Sequence, residues 1–401
     1  MIAPKMRFPE YHGEYINDSL SEISDRVRRK NSDNQTDIPL TIASIEGLVD
    51  QRTYFGKAVA SKDMSGYYLL QNGEFAYNKS YSKGYPVGSI KRLDKYAQGA
   101  LSTLYICFAL KENADVTSDY LVQYFDSSAW YEAVNEVCAE GARNHGLLNV
   151  SPDDFFATTH HFAPTKEEQD KVATFLSLYD QKIENQMAKV EALETRRKGL
   201  LQQIFSQKIR FKADDGGEFP DWGSVIMEET FDSISDKNHP DKTVLTIIQG
   251  QGTIPREESD RNISYNKASI PTYKLVQVND FIMHLRSFEG GLEIATQEGI
   301  VSPAYTILRS KIDIVPVFYR YYFRSSSFIV EKLTGITEGI RDGRSINMDD
   351  FWLLEIPFPS IPEQRKIGQF MDLINKQIQV EKDKLEAIKQ VKKGLLQQMF
   401  V

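Results

Sequence analysis

Basic, hydroxyl and aromatic residues are interleaved with glycine in the segment 79–95, which reads KSYSKGYPVGSIKRLDK. It carries five positive residues and one negative residue. Lys and Arg suit contacts to phosphate, while Ser, Tyr and the backbone beside Gly can also reach base edges. A solvated loop is the plain alternative. A related loop, HLRSFEGGL, occupies 284–292 in the second half of the chain. We interpret both as candidate DNA-contacting loops.

The candidate contacts come from these loops and from shorter polar stretches near them. Basic members are expected to hold phosphates, whereas Ser, Gln, His and Tyr are better candidates for bases. In the first half the candidates are Arg52, Tyr54, Lys79, Ser80, Tyr81, Lys83, Tyr85, Lys91 and Arg92. In the second half they are Gln249, Arg256, His284, Arg286, Ser287 and Arg344.

Catalytic motifs are missing from the sequence. There is no Gly-x-x-x-x-Gly-Lys phosphate loop, and the nearest approach to Gly-x-Gly-x-x-Gly, at 250–252, lacks the third glycine. The adjacent histidines at 160–161 have no Cys or acidic ligand at metal spacing, so we expect structural histidines. Residues 152–153 with 180–182 only weakly resemble a nuclease metal motif, and the latter fall in a predicted helix. The sequence predicts a non-catalytic binding protein without a metal or cofactor of its own.

Composition sets further limits. The chain has 401 residues, a net charge of −8 and two cysteines, which predicts two or three globular domains without a disulfide framework. No segment reads as a membrane span or a signal peptide, so we expect a cytoplasmic protein. The negative total argues mildly against nucleic-acid binding. The total includes surfaces that need never meet phosphate, so it does not rule out a DNA-reading role for the basic loops.

The second half of the chain repeats the first. Residues 168–205 align without a gap with 363–400 at an offset of 195, and both end in Lys-Gly-Leu-Leu-Gln-Gln-x-Phe. Upstream, LLQNGEF at 69–75 answers to LVQVNDF at 275–281. Between such anchors the copies diverge. An ordered series of matches indicates a tandem duplication in which a variable domain and a conserved helix alternate.

Each conserved segment lacks Pro and carries the 4,3 apolar spacing of a coiled-coil seam. We predict that the two helices pair antiparallel. A register in which paired residue numbers sum to 571, as for Ile183 with Ile388, engages every layer. A sum of 578 would set Arg197 opposite Glu381 but would lose layers. A coiled coil between copies of the chain is the alternative to this internal pairing.

The predicted fold is α+β, with two mixed α/β domains and two long helices in a pseudo-two-fold repeat. The predicted boundaries are 1–162 for the first variable domain, 163–207 for the central helix, 208–360 for the second variable domain and 361–401 for the distal helix. Aromatic-rich stretches at 118–137 and 315–333 are predicted to be core helices.

Together these features resemble the specificity (S) subunit of type I restriction–modification systems. The resemblance rests on the order variable domain, helix, variable domain, helix. It also rests on Phe-Pro-x-aromatic at 8–11 and 219–222, and on Pro followed by Glu-Gln at 164–169 and 362–364. It covers essentially the whole chain. Single motifs are moderately specific, while their order and duplication are highly specific.

The resemblance implies that each variable domain is a target recognition domain that reads one half of a bipartite double-stranded DNA sequence. It implies docking of two methyltransferase (M) subunits and two restriction (R) subunits. S-adenosylmethionine, ATP and Mg are then expected in those partners, which methylate adenine at N6 and cleave DNA. The conserved helices would act as a spacer; 38 residues span about 57 Å, or about 17 base pairs. A two-headed adaptor that binds proteins and no DNA is the alternative function.

Overall fold

The computed structural model describes residues 2–43, 46–57, 60–82, 84–138, 148–259, 267–284, 290–339 and 345–401. The chain divides into two compact units. The first unit is Met1–Met187 with Asp383–Val401, and the second unit is Ala188–Lys382. Among the described residues, no helix combines the length and the apolar character needed to cross a membrane.

The elements before the long central helix are β1 Ile16–Ser19, α1 Leu20–Ile23, β2 Ser24–Arg26, β3 Leu40–Ala43, β4 Gly47–Asp50, α2 Gln51–Phe55, β5 Tyr68–Gln71, β6 Phe75–Asn78, β7 Ser89–Arg92, β8 Gln98–Leu101, β9 Ile106–Leu110, α3 Ser118–Asp126, α4 Tyr131–Glu136, α5 Pro152–Ala157 and β10 Thr159–Phe162. The central helix is α6 Lys166–Phe205.

The later elements are β11 Gly223–Ile226, α7 Met227–Thr230, β12 Phe231–Ile234, β13 Leu245–Ile248, β14 Gly252–Pro255, β15 Lys274–Val276, β16 Phe281–His284, β17 Glu293–Ile294, β18 Gly299–Val301, β19 Tyr305–Ser310, α8 Pro316–Tyr322, α9 Ser326–Phe328, β20 Thr337–Glu338, β21 Ser345–Ile346, α10 Met348–Trp352, β22 Glu355–Phe358 and α11 Ile361–Met399. A π-helical turn, Ile329–Leu333, follows α9. The mixed α and β content agrees with the predicted class.

Each unit is organised on a four-stranded antiparallel sheet. The order is β2-β9-β6-β7 in the first unit and β12-β19-β16-β17 in the second. The two middle strands supply buried aromatic residues, such as Phe75 and Phe108 in the first unit and Phe281 in the second. Smaller two-stranded sheets, β3-β4 and β13-β14, occupy matching places in the chain. Burial of one sheet face against aromatic helices is the main stabilising contribution in each unit.

The aromatic stretches are core, as predicted, but neither predicted helix is continuous: 118–137 is divided into α3 and α4, and 315–333 into α8, α9 and the π-helical turn. Tyr120, Tyr124 and Trp130 are buried. Between α3 and α4, the Ser127 hydroxyl donates to Tyr124 O at 2.6 Å and accepts from Ala129 N at 3.1 Å. A serine that bonds the backbone in this way competes with the helical pattern and ends the helix.

Burial along the two long helices follows the predicted seam. In α6 the seam positions Val172, Leu176, Val190 and Ile204 are buried, and the other seam positions of this helix are half-buried. In α11 the polar seam residues Glu381 and Lys392 are buried as well. The 4,3 apolar spacing therefore predicted which helical positions lose solvent.

Contacts between the two helices run antiparallel inside each unit. In the first unit, Lys392 Nζ lies 2.5 Å from Asp180 Oδ1, and the residue numbers sum to 572. In the second unit, Arg197 Nη1 donates to Asn375 Oδ1 at 3.0 Å, again summing to 572. Lys189 pairs with Glu381 (sum 570) and Lys382 pairs with Glu194 (sum 576). Three of the four contacts lie within one of the predicted sum of 571.

A buried Glu-Gln pair anchors the start of each long helix. Glu168 accepts from Arg7 Nε at 2.7 Å, and its counterpart Glu363 accepts from Arg210 Nε at 2.9 Å. The next residue, Gln169, donates to Ala163 O and accepts from Thr117 N. Gln364 makes the corresponding bonds to Pro359 O and Val315 N. The motif thus connects each helix to its own variable domain.

His160 has a structural role, as predicted. Its Nδ1 lies 2.9 Å from the Tyr124 hydroxyl and its Nε2 lies 2.8 Å from Thr158 Oγ1. Burial, together with the neighbouring His161, lowers the pKa of His160 to about 4. The ring is therefore a neutral hydrogen-bonding group inside the first unit.

Candidate nucleic-acid interface

The short helix α2 presents Arg52 and Tyr54 in the first unit. The β3-β4 hairpin leads into it, and the Asp50 side chain caps it by accepting from Arg52 N. The Arg52 guanidinium pairs with Asp50 at 2.7 Å and with Asp37 at 3.3 Å, so its charge is already compensated. Tyr54 is 49% exposed and packs edge-to-face on Phe55, which is equally exposed. This aromatic pair is an accessible stacking surface.

The loop after β6 holds five of the candidates. The Lys79 ammonium donates to Val150 O at 3.3 Å, and Ser80 N bonds Asn78 Oδ1. Tyr81 is exposed, while Tyr85 is half-buried and closes a tight turn with Ser82. The backbone of this turn is hydrogen-bonded in both directions, which fixes the loop beside the sheet edge. Lys83 lies outside the described residues.

Lys91 and Arg92 are not loop residues. Both belong to β7, the edge strand of the first four-stranded sheet. The Lys91 side chain is 15% exposed and its Nζ lies 2.5 Å from Asp126 Oδ1. Arg92 bonds Asp94 and Asp119, both at 2.7 Å. These two basic side chains are thus engaged by carboxylates of their own unit.

In the second unit, the turn between β13 and β14 lies against the end of the 284–292 loop. Gln249 is exposed, and its Nε2 lies 2.5 Å from the position that a Cβ on Gly290 would take. His284, at the end of β16, is half-buried and packs edge-to-face on Tyr305. Arg256 Nε donates to Thr246 Oγ1 at 3.3 Å. The candidates Arg286, Ser287 and Arg344 lie outside the described residues.

Arg324 is a basic residue at this place that the sequence interpretation missed. Its Nε lies 3.1 Å from Glu293 Oε1, and its guanidinium nitrogens lie 3.0 Å from where a Cβ on Gly250 would stand. Burial raises the pKa of Glu293, an effect that Arg324 opposes. In the sequence, the repeat offset of 198 that aligns 140–143 with 338–341 also aligns Arg324 with Asp126. This internal alignment is the sequence signal that could have identified Arg324.

No group of three or more His, Cys, Asp or Glu side chains in the described part of the chain is arranged to hold a metal ion. Asp180, from the weak nuclease-like motif, accepts from Gln123 Nε2 at 2.9 Å and from Lys392 at 2.5 Å. Its two carboxylate oxygens are therefore used within the fold.

Comparisons with known proteins agree in pointing to one family. A family model described as "Type I restriction modification DNA specificity domain" matches residues 290–390. A Methanocaldococcus jannaschii protein named as the type I restriction enzyme MjaX specificity subunit is 21% identical over 395 residues, covering 95% of this chain and 90% of the relative. The MjaVIII specificity subunit of the same organism is 23% identical over 258 residues, covering 58% of this chain and 59% of its own length.

Two solved structures share the fold. A chain of a structure concerned with complex assembly and conformational transition of the type I R-M system superposes with a TM-score of 0.58 at 16% identity, covering 96% of this chain and 97% of its own. The type I S subunit from M. genitalium gives a TM-score of 0.52 at 13% identity, covering 100% and 99%. The resemblance to the specificity subunits of type I restriction–modification systems, predicted from the repeat and its motifs, is confirmed.

Proposed function

We propose that this chain is the non-catalytic DNA-recognition subunit of a type I restriction–modification complex. In this proposal each variable domain reads one half of a bipartite double-stranded target. Two methyltransferase and two restriction subunits dock on the chain and supply S-adenosylmethionine, ATP and Mg chemistry. The observation that carries the proposal is the similarity to specificity subunits along almost the full length of the chain.

The construction of the two units supports a two-headed reader. Both units have a four-stranded sheet of matching order, and each anchors its long helix through an Arg–Glu ion pair, Arg7–Glu168 in one and Arg210–Glu363 in the other. Molecules that read a bipartite site need two heads of the same plan at a fixed spacing. The variable loops on those heads are where sequence preference would differ.

For the DNA contacts, the proposal favours exposed and half-buried groups over ion-paired ones. Tyr54, Tyr81 and Gln249 are exposed and carry groups that stack on or hydrogen-bond to bases. Lys79 is the basic residue proposed to hold a phosphate. Lys91 and Arg92 are not proposed as DNA contacts, because carboxylates of the first unit engage them.

We further propose that α6 and α11 form an antiparallel coiled coil that sets the DNA spacer. A helix of 40 residues is about 60 Å long at 1.5 Å per residue. Helix contacts whose residue numbers sum to 570 and 572 support the register at 571. The spacer length would then depend on helix length, independently of what the heads read.

The test uses the chain with and without its methyltransferase subunit. Gel shifts with random and target duplexes should show sequence-dependent retention, strongest when the methyltransferase is present. Adenine methylation should appear at one bipartite sequence only when both proteins are present. A chain that assembles with the methyltransferase but confers no sequence-dependent retention would be the protein-binding adaptor and would refute the proposal.

A further inference from the structure

A cationic cleft lies within the second unit, between the last turns of α6 and the turn that follows α8. Its volume is about 390 Å³. The lining includes Arg197, Lys198 and Arg324, a single acidic residue, Glu194, and the hydroxyl residues Ser325 and Ser326. A cleft of this volume has room for several water molecules or for a hydrated anion.

Each of the two arginines has a buried Nε without a hydrogen-bond partner, and its terminal nitrogens are the donors closest to the lining. Arg197 Nη1 donates to Asn375 Oδ1, but the buried Arg197 Nε has no hydrogen-bond partner. Arg324 Nε lies near Glu293 Oε1 as an ion pair without the geometry of a hydrogen bond. A guanidinium carries five N–H donors in a fork that matches the oxygens of a phosphate.

The acidic groups near the cleft are already engaged. Glu194 Oε1 is 2.6 Å from Lys382 Nζ. Glu293 Oε1 accepts from Gly250 N at 2.7 Å in addition to its ion pair with Arg324. Arg197, Lys198 and Arg324 therefore share a cleft in which Glu194 is paired with Lys382 and Glu293 is paired with Arg324.

The same place in the first unit is filled by a neutral charge network. The segments 124–127 and 322–325 are equivalent because they make matching hydrogen bonds. Ser127 Oγ donates to Tyr124 O, and Ser325 Oγ donates to Tyr322 O, both at 2.6 Å. This offset of 198 places Asp126 opposite Arg324. The offset of 195 along the helices places Asp180 opposite Asn375 and Lys392 opposite Arg197.

The pairing register of the strands gives a fourth pair of equivalent positions, Lys91 and Glu293. Lys91 pairs across the sheet with Ala76, and Glu293 pairs with Ile282 in the corresponding strands. In the first unit the four charges are Lys91, Lys392, Asp126 and Asp180, two positive and two negative, and they contact one another. In the second unit the four positions are Glu293, Arg197, Arg324 and Asn375, two positive and one negative. Over these four positions the first copy is neutral, whereas the second copy carries a net charge of +1.

We propose that this cleft binds a phosphate group through Arg197, Lys198 and Arg324. Ser326, which is exposed, adds a hydroxyl group to the lining. The phosphate can come from the backbone of the target DNA, in which case the inference rests on the proposed function, or from free phosphate in solution. The DNA source fits the surroundings, because the Arg324 guanidinium packs on Gly250, the neighbour of the base-reading candidate Gln249.

The first arm of the test measures the binding of free phosphate to the full chain in the absence of DNA. The thermal midpoint is followed against inorganic phosphate and against sodium chloride at equal ionic strength. The wild-type chain should show a saturable rise in phosphate only. The double variant Glu293→Lys with Arg324→Asp copies the Lys91–Asp126 ion pair, so it retains an ion pair while placing a carboxylate in the cleft. We expect it to weaken phosphate binding by about tenfold or more.

A milder pair of variants removes the risk of misfolding. Lys198→Gln changes one exposed charge at the cleft, and Lys393→Gln makes the same change at the equivalent exposed position of the distal helix. Only Lys198→Gln should weaken the phosphate effect. Equal responses of these two variants, or a wild-type midpoint that is the same in phosphate and in chloride, would overturn a site for free phosphate.

The second arm measures DNA affinity against salt for the chain with its methyltransferase subunit. A backbone phosphate held in the cleft predicts that Lys198→Gln and the double variant reduce the slope of log K on log salt by about 0.9. Phosphate binding without a slope change assigns the cleft to free phosphate. If the cleft variants have no effect in either arm, the inference is overturned. A wild-type chain that binds phosphate but no DNA refutes only the proposed function.

Discussion

Lys392 Nζ lies 2.5 Å from Asp180 Oδ1, which ties the last turns of the distal helix to the first half of the central helix. The same ammonium lies 3.4 Å from Asp126 Oδ2 at the end of α3. One buried cation therefore joins both long helices to the first variable domain. Both repeat copies carry a basic residue at this seam position, and in each copy it bonds the side chain at the matching place of the other helix.

Replacing Lys392 with Ala should destabilise the first unit by about 2 kcal/mol. Removing one partner of a fully buried pair costs about 3–5 kcal/mol, and the exposure of Asp180, 39%, reduces that figure. Hydrogen exchange over 118–136 should become faster, because α3 loses a tie to the helix. Lys393→Ala, at an exposed position, is the control. Unchanged exchange in Lys392→Ala would mean that the pair contributes nothing.

Replacing Arg7 with Lys should not preserve the start of the central helix. Arg7 holds Glu168 by two nitrogens and also donates to Gly13 O and His12 O, a set that one ammonium cannot make. We expect a loss of about 2 kcal/mol, visible as faster exchange around residue 168. Arg210→Lys should act in the same way on the second unit alone. Full rescue of the exchange rates by Lys would contradict this account.

His160 should make stability depend on pH between about 4 and 6.5. Its folded-state pKa of about 4 is below the ordinary 6.5, so the unfolded chain binds a proton that the folded chain does not. Stability is complete above pH 6.5 and falls by up to about 3 kcal/mol as the pH drops toward 4. Urea unfolding of wild type and His160→Gln across this window should show a steeper fall in the wild type. Parallel curves would exclude the assignment.

Substitutions of Lys79 and Lys91 should separate an effect on DNA affinity from an effect on stability. Lys79→Ala is expected to weaken binding to all sequences and to lower the salt slope by about 0.9 with little change in the thermal midpoint. Lys91→Ala leaves Asp126 with one partner fewer, so it should lower the midpoint and leave the salt slope unchanged. Both affinities are measured with the methyltransferase subunit present. The opposite pattern would reverse the two roles.

The fold was predictable where the pattern is periodic or repeated. The 4,3 apolar spacing predicted positions of α6 and α11 that are buried or half-buried, and the aromatic stretches predicted the core. Site residues were harder, because a basic loop pattern does not reveal which charges meet a carboxylate. Lys91 and Arg92 lie in a strand whose partners, Asp126 and Asp119, belong to a helix about 30 residues away. Arg324 lies outside any basic run, and only the internal alignment could have identified it.

The central claim is that each variable domain reads its own half of the target. The most direct measurement maps methylated adenines in the DNA of cells that express the methyltransferase subunit. One strain carries this chain, and the other carries a version whose residues 208–360 come from another specificity subunit. The account predicts two bipartite sequences that share one half and the spacer length but differ in the other half. Identical sequences in both strains, or a change in both halves at once, would contradict it.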